Sequence, residues 1–364
     1  MKKQLRYFMT LLLMMAVSVG WCQTGVKWVE TAPENLKTGD VVVIVDQHSK
    51  KAMKNDGGHE ADAKATTIIL NEDKSVITGK VDATLRWIVI VNDESYQFKV
   101  PYSVDSLYCT TKNVLVGDNS NNKFSILKKS SNNQINNYLF NTGKNKYIGV
   151  NNDKWSCYDK YNNTVKATVA AFYKMVESVP VNDKGTATYV TTNALNFSGI
   201  TDVKAYVATA QDGSNVTFTR VEGAVPAGTP LLVKGKTTDV PVTESATAPE
   251  KNLLVAGTGK GVASEAGGKF NFILNNLNGA VGFYHAAGNT VAADRAYLSL
   301  SNNPFPSTES GAKLNAIFSD GETTGINNVN VNDNDNVKIF NLAGQQMKGA
   351  VKGIYIKNGK KFVK

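Results

Sequence analysis

The residues with obvious chemical capacity are few and poorly placed for catalysis. Histidine occurs only at His48, His59 and His285. A zinc helix needs two histidines four apart, so that both imidazoles share one face, with a glutamate between them. His59-Glu60 has the glutamate but no second histidine, and beside Gly57-Gly58 it reads as an exposed loop. Cys157 and His285 would make a nucleophile–base pair only across domains, and no nucleophile signature surrounds either. Gly257-Thr-Gly-Lys-Gly261 lacks the spacing and the following helix of a phosphate loop, so it reads as a turn between strands. Asn332-Asp-Asn-Asp-Asn336 alternates oxygen ligands, but without the glycine and distal glutamate of a calcium loop it reads as a linker. No local pattern marks the paired carboxylates of a glycosidase. No CxxC or Cys/His spacing supports a metal site, and no cofactor motif is present. These residues lead to the expectation of a non-enzymatic protein with no cofactor.

Recognition is the chemistry that remains. Trp155, Tyr158 and Tyr161 lie in a stretch rich in Asn and Lys. Flat aromatic faces stack on sugar rings while amides bond the hydroxyls, so these three are the candidate ligand-binding residues. A second reading stays open, in which Trp155 and Tyr158 cap an apolar core. Tyr102 and Trp87 read as core. Cys109 and Cys157 form a disulfide or remain two buried thiols, and both readings stand.

The formal charge of +9 is unevenly distributed. Lys2, Lys3 and Arg6 supply three of the excess charges, and six lysines from Lys348 to Lys364 supply the other six, leaving the body formally neutral. No basic cluster interleaved with aromatics stands out in that body, which argues against nucleic-acid binding. The basic start is followed by an apolar run from Tyr7 to Val19, too short to span a bilayer and flanked as a secretory signal is. Residues 1–22 are therefore expected to be a signal peptide. Cleavage after Cys22 leaves Gln23 first, with Gly20 and Cys22 as the small residues the peptidase requires. The rival, a lipoprotein anchored through Cys22, suffers from the bulky Trp21 before the cysteine. No later segment has the length and apolarity of a transmembrane helix.

The elements that must position these residues are strands. Asp40-Val-Val-Val-Ile-Val45, Leu85-Arg-Trp-Ile-Val-Ile-Val91, Val203-Lys-Ala-Tyr-Val207 and Leu231-Leu-Val233 are bounded by turn formers, and helical periodicity is almost absent. Ala61 to Thr66 alone suggests a single helical turn. The expected class is all-β. Residues 23–177 show a threefold pattern. One unit runs from Gly39 through Lys51-Ala-Met53 to Trp87-Ile-Val-Ile90, the next from Tyr96 through Ser106-Leu-Tyr108 to Leu127, and the last from Tyr138 through Lys146-Tyr-Ile148 to Met175. Units of about forty residues that cannot bury a face alone must share a core, which predicts a β-trefoil-like domain or related closed barrel. Residues 178–326 alternate short strands with Pro-Ala-Gly and Asn-Gly turns, predicting a β-sandwich-like domain. Residues 327–336 form a polar linker. In residues 337–364, Ala343-Gly344 and Asn358-Gly359 predict two hairpins, because the tight turn in such hairpins needs positive φ.

The carboxyl-terminal run Val337-Lys-Ile-Phe-Asn-Leu-Ala-Gly-Gln-Gln-Met347, followed by Lys352-Gly-Ile-Tyr-Ile-Lys-Asn-Gly-Lys-Lys-Phe-Val-Lys364, resembles the sorting segment of Bacteroidetes cargo for the type IX secretion system. Longer versions of that segment carry additional N-terminal strands, which are missing here. The opening Lys27-Trp-Val-Glu and the close Trp155-Ser-Cys-Tyr158 with Ala171-Phe-Tyr-Lys-Met175 resemble a domain of secreted Bacteroidetes proteins. Leu195-Asn-Phe-Ser-Gly199, Val225-Pro-Ala-Gly-Thr-Pro-Leu-Leu-Val-Lys234 and Arg295-Ala-Tyr-Leu298 resemble a β-rich module that precedes the sorting tail in Bacteroidales surface proteins. The resemblance implies export to the cell surface, outer membrane or extracellular space, with the export machinery as partner of the tail. It also makes Asp105-Ser106-Leu107 a match to the short O-glycosylation acceptor pattern, with Ser106 as acceptor. The leading functional expectation is a binding module or adhesin for a glycan or host surface. A structural envelope or matrix spacer is the second class, and a hydrolase whose site the sequence does not display is the third.

Overall fold

The computed structural model describes residues 25–57, 60–131, 134–160, 169–277, 279–305 and 312–321, with four short strands between 339 and 363. The signal segment with Cys22 and Gln23, His59, Tyr161 and the 327–336 linker lie outside the described residues. The described residues fall into two compact bodies, one ending at 321 and one made by the tail strands. The larger body is built almost wholly of strands, and among the described residues no helix is long and apolar enough to cross a membrane.

After an outer strand, β1 (Val26–Thr31), the chain builds a ring. In it β2 (Val41–Asp46) pairs with β7 (Trp87–Asn92), β7 with β8 (Ser95–Lys99), β8 with β11 (Phe124–Ser131), and β11 with β12 (Gln134–Asn141). The strand β15 (Ala170–Val179) returns to β2, and a bridge from Tyr138 to Val169 closes the circle. Three hairpins cap one end of the ring: β3 (Lys51–Met53) with β5 (Ala65–Thr67), β9 (Ser106–Cys109) with β10 (Val114–Gly117), and β13 (Lys146–Asn151) with β14 (Lys154–Tyr158). Six ring strands and three hairpin caps make a β-trefoil, and each unit read from the sequence supplies one hairpin.

The caps also pair with one another. The short β4 (Ala61–Asp62) joins β10, Asn113 bridges Ser156, and Lys64 bridges Lys154. These pairings correct the expected helical turn at Ala61 to Thr66. A segment with weak helical preference becomes strand when its backbone groups are claimed from both sides. One more short strand, β6 (Val76–Ile77), lies against β1.

β2 and β15 read as nearly continuous apolar runs because both of their faces are covered. Val42, Ile44, Ala170 and Phe172 point into the barrel, where Trp87, Phe98, Phe124 and Trp155 fill the centre. Phe98 stacks on Phe172 with ring centroids 5.7 Å apart. Val41, Val43, Val45, Tyr173 and Met175 point outward into a second core, roofed partly by Trp28 and Ile77.

The rest of that roof comes from a sheet ordered β16 (Thr186–Val190), β21 (Pro230–Gly235), β18 (Val203–Asp212), β19 (Asn215–Val221) and β30 (Asn315–Phe318), the last pair parallel. Facing it is a sheet of β23 (Leu254–Ala256), β29 (Ala296–Leu300), β26 (Lys269–Leu277) and β25 (Glu265–Ala266), with β27 (Ala280–His285) on β26. Tyr206, Phe218 and Leu232 of the first sheet meet Phe272, Phe283 and Leu298 of the second, a β-sandwich core. Two small ribbons flank it, β17 (Leu195–Asn196) with β20 (Ala224–Val225) and β24 (Lys260–Gly261) with β28 (Thr290–Val291).

The junction at residues 177 and 178 falls inside β15, which continues to Val179 and pairs with β22 (Thr238–Pro241). Ala187, Ala205, Val207, Leu231 and Val233 share a core with β2 and β15, so trefoil and sandwich are joined through one apolar layer. Glu177 is buried at that joint. Its carboxylate accepts from the Tyr189 hydroxyl at 2.6 Å, from the backbone N–H groups of Thr192 and Asn193, and from the Asn193 side-chain amide. Four donors compensate the burial of one charge.

In the tail body, β31 (Ile339–Asn341) pairs with β32 (Gln346–Met347), and β33 (Ile354–Lys357) with β34 (Lys360–Val363). A β31–β33 pairing joins the two hairpins into one sheet. Ala343-Gly344 and Asn358-Gly359 lie outside the described residues.

Candidate functional site

The trefoil repeats its connections, so a departure from threefold likeness marks what the fold does not require. The loop from ring strand to cap hairpin is the clearest case. In the first unit Asp46 pairs with Lys51 and four residues lie between them; in the third, Asn141 pairs with Lys146, again with four between. The two loops share their construction. Asp46 accepts from the backbone N–H of His48 and Ser49, Asn141 accepts from that of Lys144, and each loop ends on a left-handed residue, Lys50 or Asn145. In the second unit Lys99 pairs with Ser106, leaving six residues, Val100-Pro-Tyr-Ser-Val-Asp105.

This longer loop carries Tyr102 and Val104, 63% and 76% exposed. Pro101 and Tyr102 are the central residues of a turn closed by a hydrogen bond from Ser103 N–H to the Val100 carbonyl at 3.2 Å. Tyr102 sits at φ +59°, the left-handed region that the third residue of such a turn normally gives to glycine or asparagine. For an aromatic residue this conformation costs about 1–2 kcal/mol. The loop is held on both sides: Val100 N–H donates to the Asp105 carbonyl, and Asp105 N–H to Ser103 Oγ.

Glu244 supplies a third support, its Oε1 accepting from Tyr102 N–H at 3.2 Å. The position of Glu244 follows from a buried ion pair. Lys174 Nζ lies 2.6 Å from Asp40 Oδ2 and also donates to the Asn35 carbonyl, while Asp40 accepts from Lys37 N–H. Asp40 bridges Thr243, and Glu244 N–H donates to the Gly39 carbonyl. Gly39 has φ +93°, and a Cβ there would come within 2.6 Å of Thr243 Oγ1, so glycine is needed for the approach. Arg86 is nearly buried, with its guanidinium 5.8 Å from the Trp28 ring centroid. Burial lowers its pKa, while Asp82 and Tyr102 act in the opposite sense. The surface thus offers an exposed ring, the Val104 methyl pair and the exposed Glu244 carboxylate. That is a stacking platform with hydrogen-bond acceptors beside it.

The residues expected to bind ligand are placed differently. Trp155 is 0% exposed and lies within the barrel core, so its candidacy as a stacking surface is corrected. Its backbone N–H donates to the Ala63 carbonyl, which fixes the side chain inward, and its indole N–H has no acceptor among the described residues. Tyr158 is half-buried, with burial first and the neighbouring Cys157 second raising its pKa. Tyr161 lies outside the described residues. Trp87 is core, its indole N–H donating to the Met53 carbonyl at 3.1 Å. Tyr102, read as core, is instead an exposed aromatic.

Ser106 is 3% exposed, with its hydroxyl accepting from the Asn122 amide, so as a glycan acceptor it is corrected: no sugar fits on it in the folded domain. Cys109 and Cys157 are free thiols on adjacent caps. His285 lies in the sandwich, against Phe272, and Cys157 in the trefoil, so these two form no pair. The one sequence signal for Tyr102 was Pro101, which favours the second position of such a turn; the two extra residues appear only once the paired ends are known.

The chain matches no protein-family model and no curated protein. Among solved structures it is similar to a designed threefold-symmetric protein, ThreeFoil, at 14% identity, covering 36% of this chain and 97% of that one with a TM-score of 0.29. It is also similar to SeviL, solved bound to the asialo-GM1 saccharide, at 12% identity, covering 37% and 97% with a TM-score of 0.28. The BEL β-trefoil gives 10% identity, 39% and 97% coverage and a TM-score of 0.28.

Proposed function

We propose that this chain is an exported, non-enzymatic binding protein of the cell surface or extracellular space, and that its trefoil domain engages a glycan or host surface through the Tyr102 loop. The observation that carries this reading is an exposed aromatic held at left-handed φ in the one ring-to-cap loop that is longer than its two counterparts. Backbone strain of this kind persists only where the surroundings impose it, and it concentrates at ligand-binding positions. Stacking of a sugar's apolar face on Tyr102, with hydroxyls donating to Glu244, uses the ring that the loop presents and the carboxylate that supports it.

The test is retention of the chain from residue 23 onward on a broad glycan and host-matrix array. Tyr102→Ala is expected to weaken retention about tenfold, the loss of one stacking contact of roughly 1.4 kcal/mol. Tyr102→Gly, suited to the turn, is expected to lose binding equally while unfolding at or above the wild-type temperature. Absence of retention across the array, or retention that survives both substitutions, overturns the reading.

A further inference from the structure

The trefoil contains two thiols brought together from separate caps. Cys109 ends β9 and Cys157 lies near the end of β14, 48 residues later in the chain. The loop between β9 and β10 is what joins them. Thr110 N–H donates to the Asn113 carbonyl, Cys157 N–H donates to the Lys112 carbonyl at 2.8 Å, and Asn113 bridges Ser156. The Cys157 thiol itself donates to the Asn113 carbonyl at 3.3 Å. Both side chains pack on the same apolar cluster, Cys109 buried within it and Cys157 at its margin. Burial, and then the neighbouring Cys157 side chain, raises the Cys109 pKa.

We propose that Cys109 and Cys157 are a built cross-linking site, closed to a disulfide by thiol–disulfide exchange with an organic disulfide, which locks the second cap to the third. The β9–β10 loop ties the two backbones together, since it follows Cys109 directly and holds Cys157 through the Lys112 carbonyl and the Asn113–Ser156 bridge, so the two thiols face one end of the same cluster. Cys157 is the more accessible thiol and reacts first. Its sulfur, as thiolate, attacks the organic disulfide, forms a mixed disulfide and releases one thiol. Cys109 then attacks the Cys157 sulfur, forming the intramolecular bond and releasing the second thiol, with the two cysteine protons carried away on the two products. Cys109, held buried beside its partner, is shielded from any other reagent.

The experiment uses the full chain with Cys22→Ser, so that only this pair reports. It is treated with oxidised glutathione, quenched by alkylation and read by intact mass and peptide mapping. The expected result is the loss of two hydrogens, no alkylation after denaturation, and a linked peptide containing Cys109 and Cys157. A rise in unfolding temperature of about 5–10 °C, reversed by reductant, should accompany it. In Cys109→Ser a stable glutathione adduct should remain on Cys157, and in Cys157→Ser Cys109 should stay unmodified in the folded protein. Two alkylatable thiols after oxidation of the otherwise wild-type pair, or an adduct on Cys157 that persists with Cys109 present, overturns the proposal without depending on the folding of either serine variant.

Discussion

The burial of Trp155 and the exposure of Tyr102 both follow from local backbone geometry. Trp155 occupies a strand position whose side chain must face one side of a pleated hairpin, and that side is the barrel interior. Tyr102 occupies a turn, where no ladder dictates direction and Glu244 holds the backbone from outside. Asn and Lys around Trp155 describe the opposite face of its hairpin and say nothing about the indole. Trp155→Ala is accordingly expected to cost about 3–5 kcal/mol of stability by opening a cavity in the core. Denaturant unfolding measures this, and a midpoint equal to wild type would refute the core assignment. Ser106 teaches the same lesson: a three-residue acceptor pattern is blind to burial, and this serine is a buried residue of β9, paired with β8 and β10.

At the scale of elements, the apolar runs of β2 and β15 were legible because strands covered on both faces lose alternation. What covers the outer face was not legible, since the roof over β2 is formed by chain more than a hundred residues away as well as by β1 and β6. His285 shows how an element gives a residue its chemistry. On β27 its ring lies 4.4 Å from that of Phe272 and 5.7 Å from that of Phe305, and neither ring nitrogen has a hydrogen-bond partner among the described residues. Burial lowers its pKa. The unfolded chain takes up a proton near pH 6.5 that the folded state resists, so this residue's contribution to stability falls as pH drops through that value. Denaturant midpoints should therefore decline between about pH 7.5 and 5, and less steeply in His285→Phe. An equal decline in the variant would remove His285 from the account.

The whole molecule joins a trefoil to a sandwich through one strand, one shared apolar layer and the Glu177 carboxylate. The charge distribution separates the body from its tail, because six of the nine excess positive charges lie between Lys348 and Lys364. Under the proposed export reading these residues belong to an address and not to a binding face. Deleting residues 337–364 should trap the protein in the periplasm, as read by surface labelling of intact cells; surface display equal to the full chain would overturn that role for the tail.

By itself, the sequence determined the all-β class, the threefold division of the first domain, the sandwich and the paired hairpins of the tail. These follow from strand periodicity and turn residues, which act over a few positions. Only the tertiary structure decided which aromatic faces water, that Cys109 and Cys157 meet, and that trefoil and sandwich share a core. Each depends on which distant strand lies alongside: the Ala63 carbonyl for Trp155, the Lys112 carbonyl for Cys157, and the face of β18 and β21 for β2. Burial is a property of such neighbours, and no short stretch of sequence contains them.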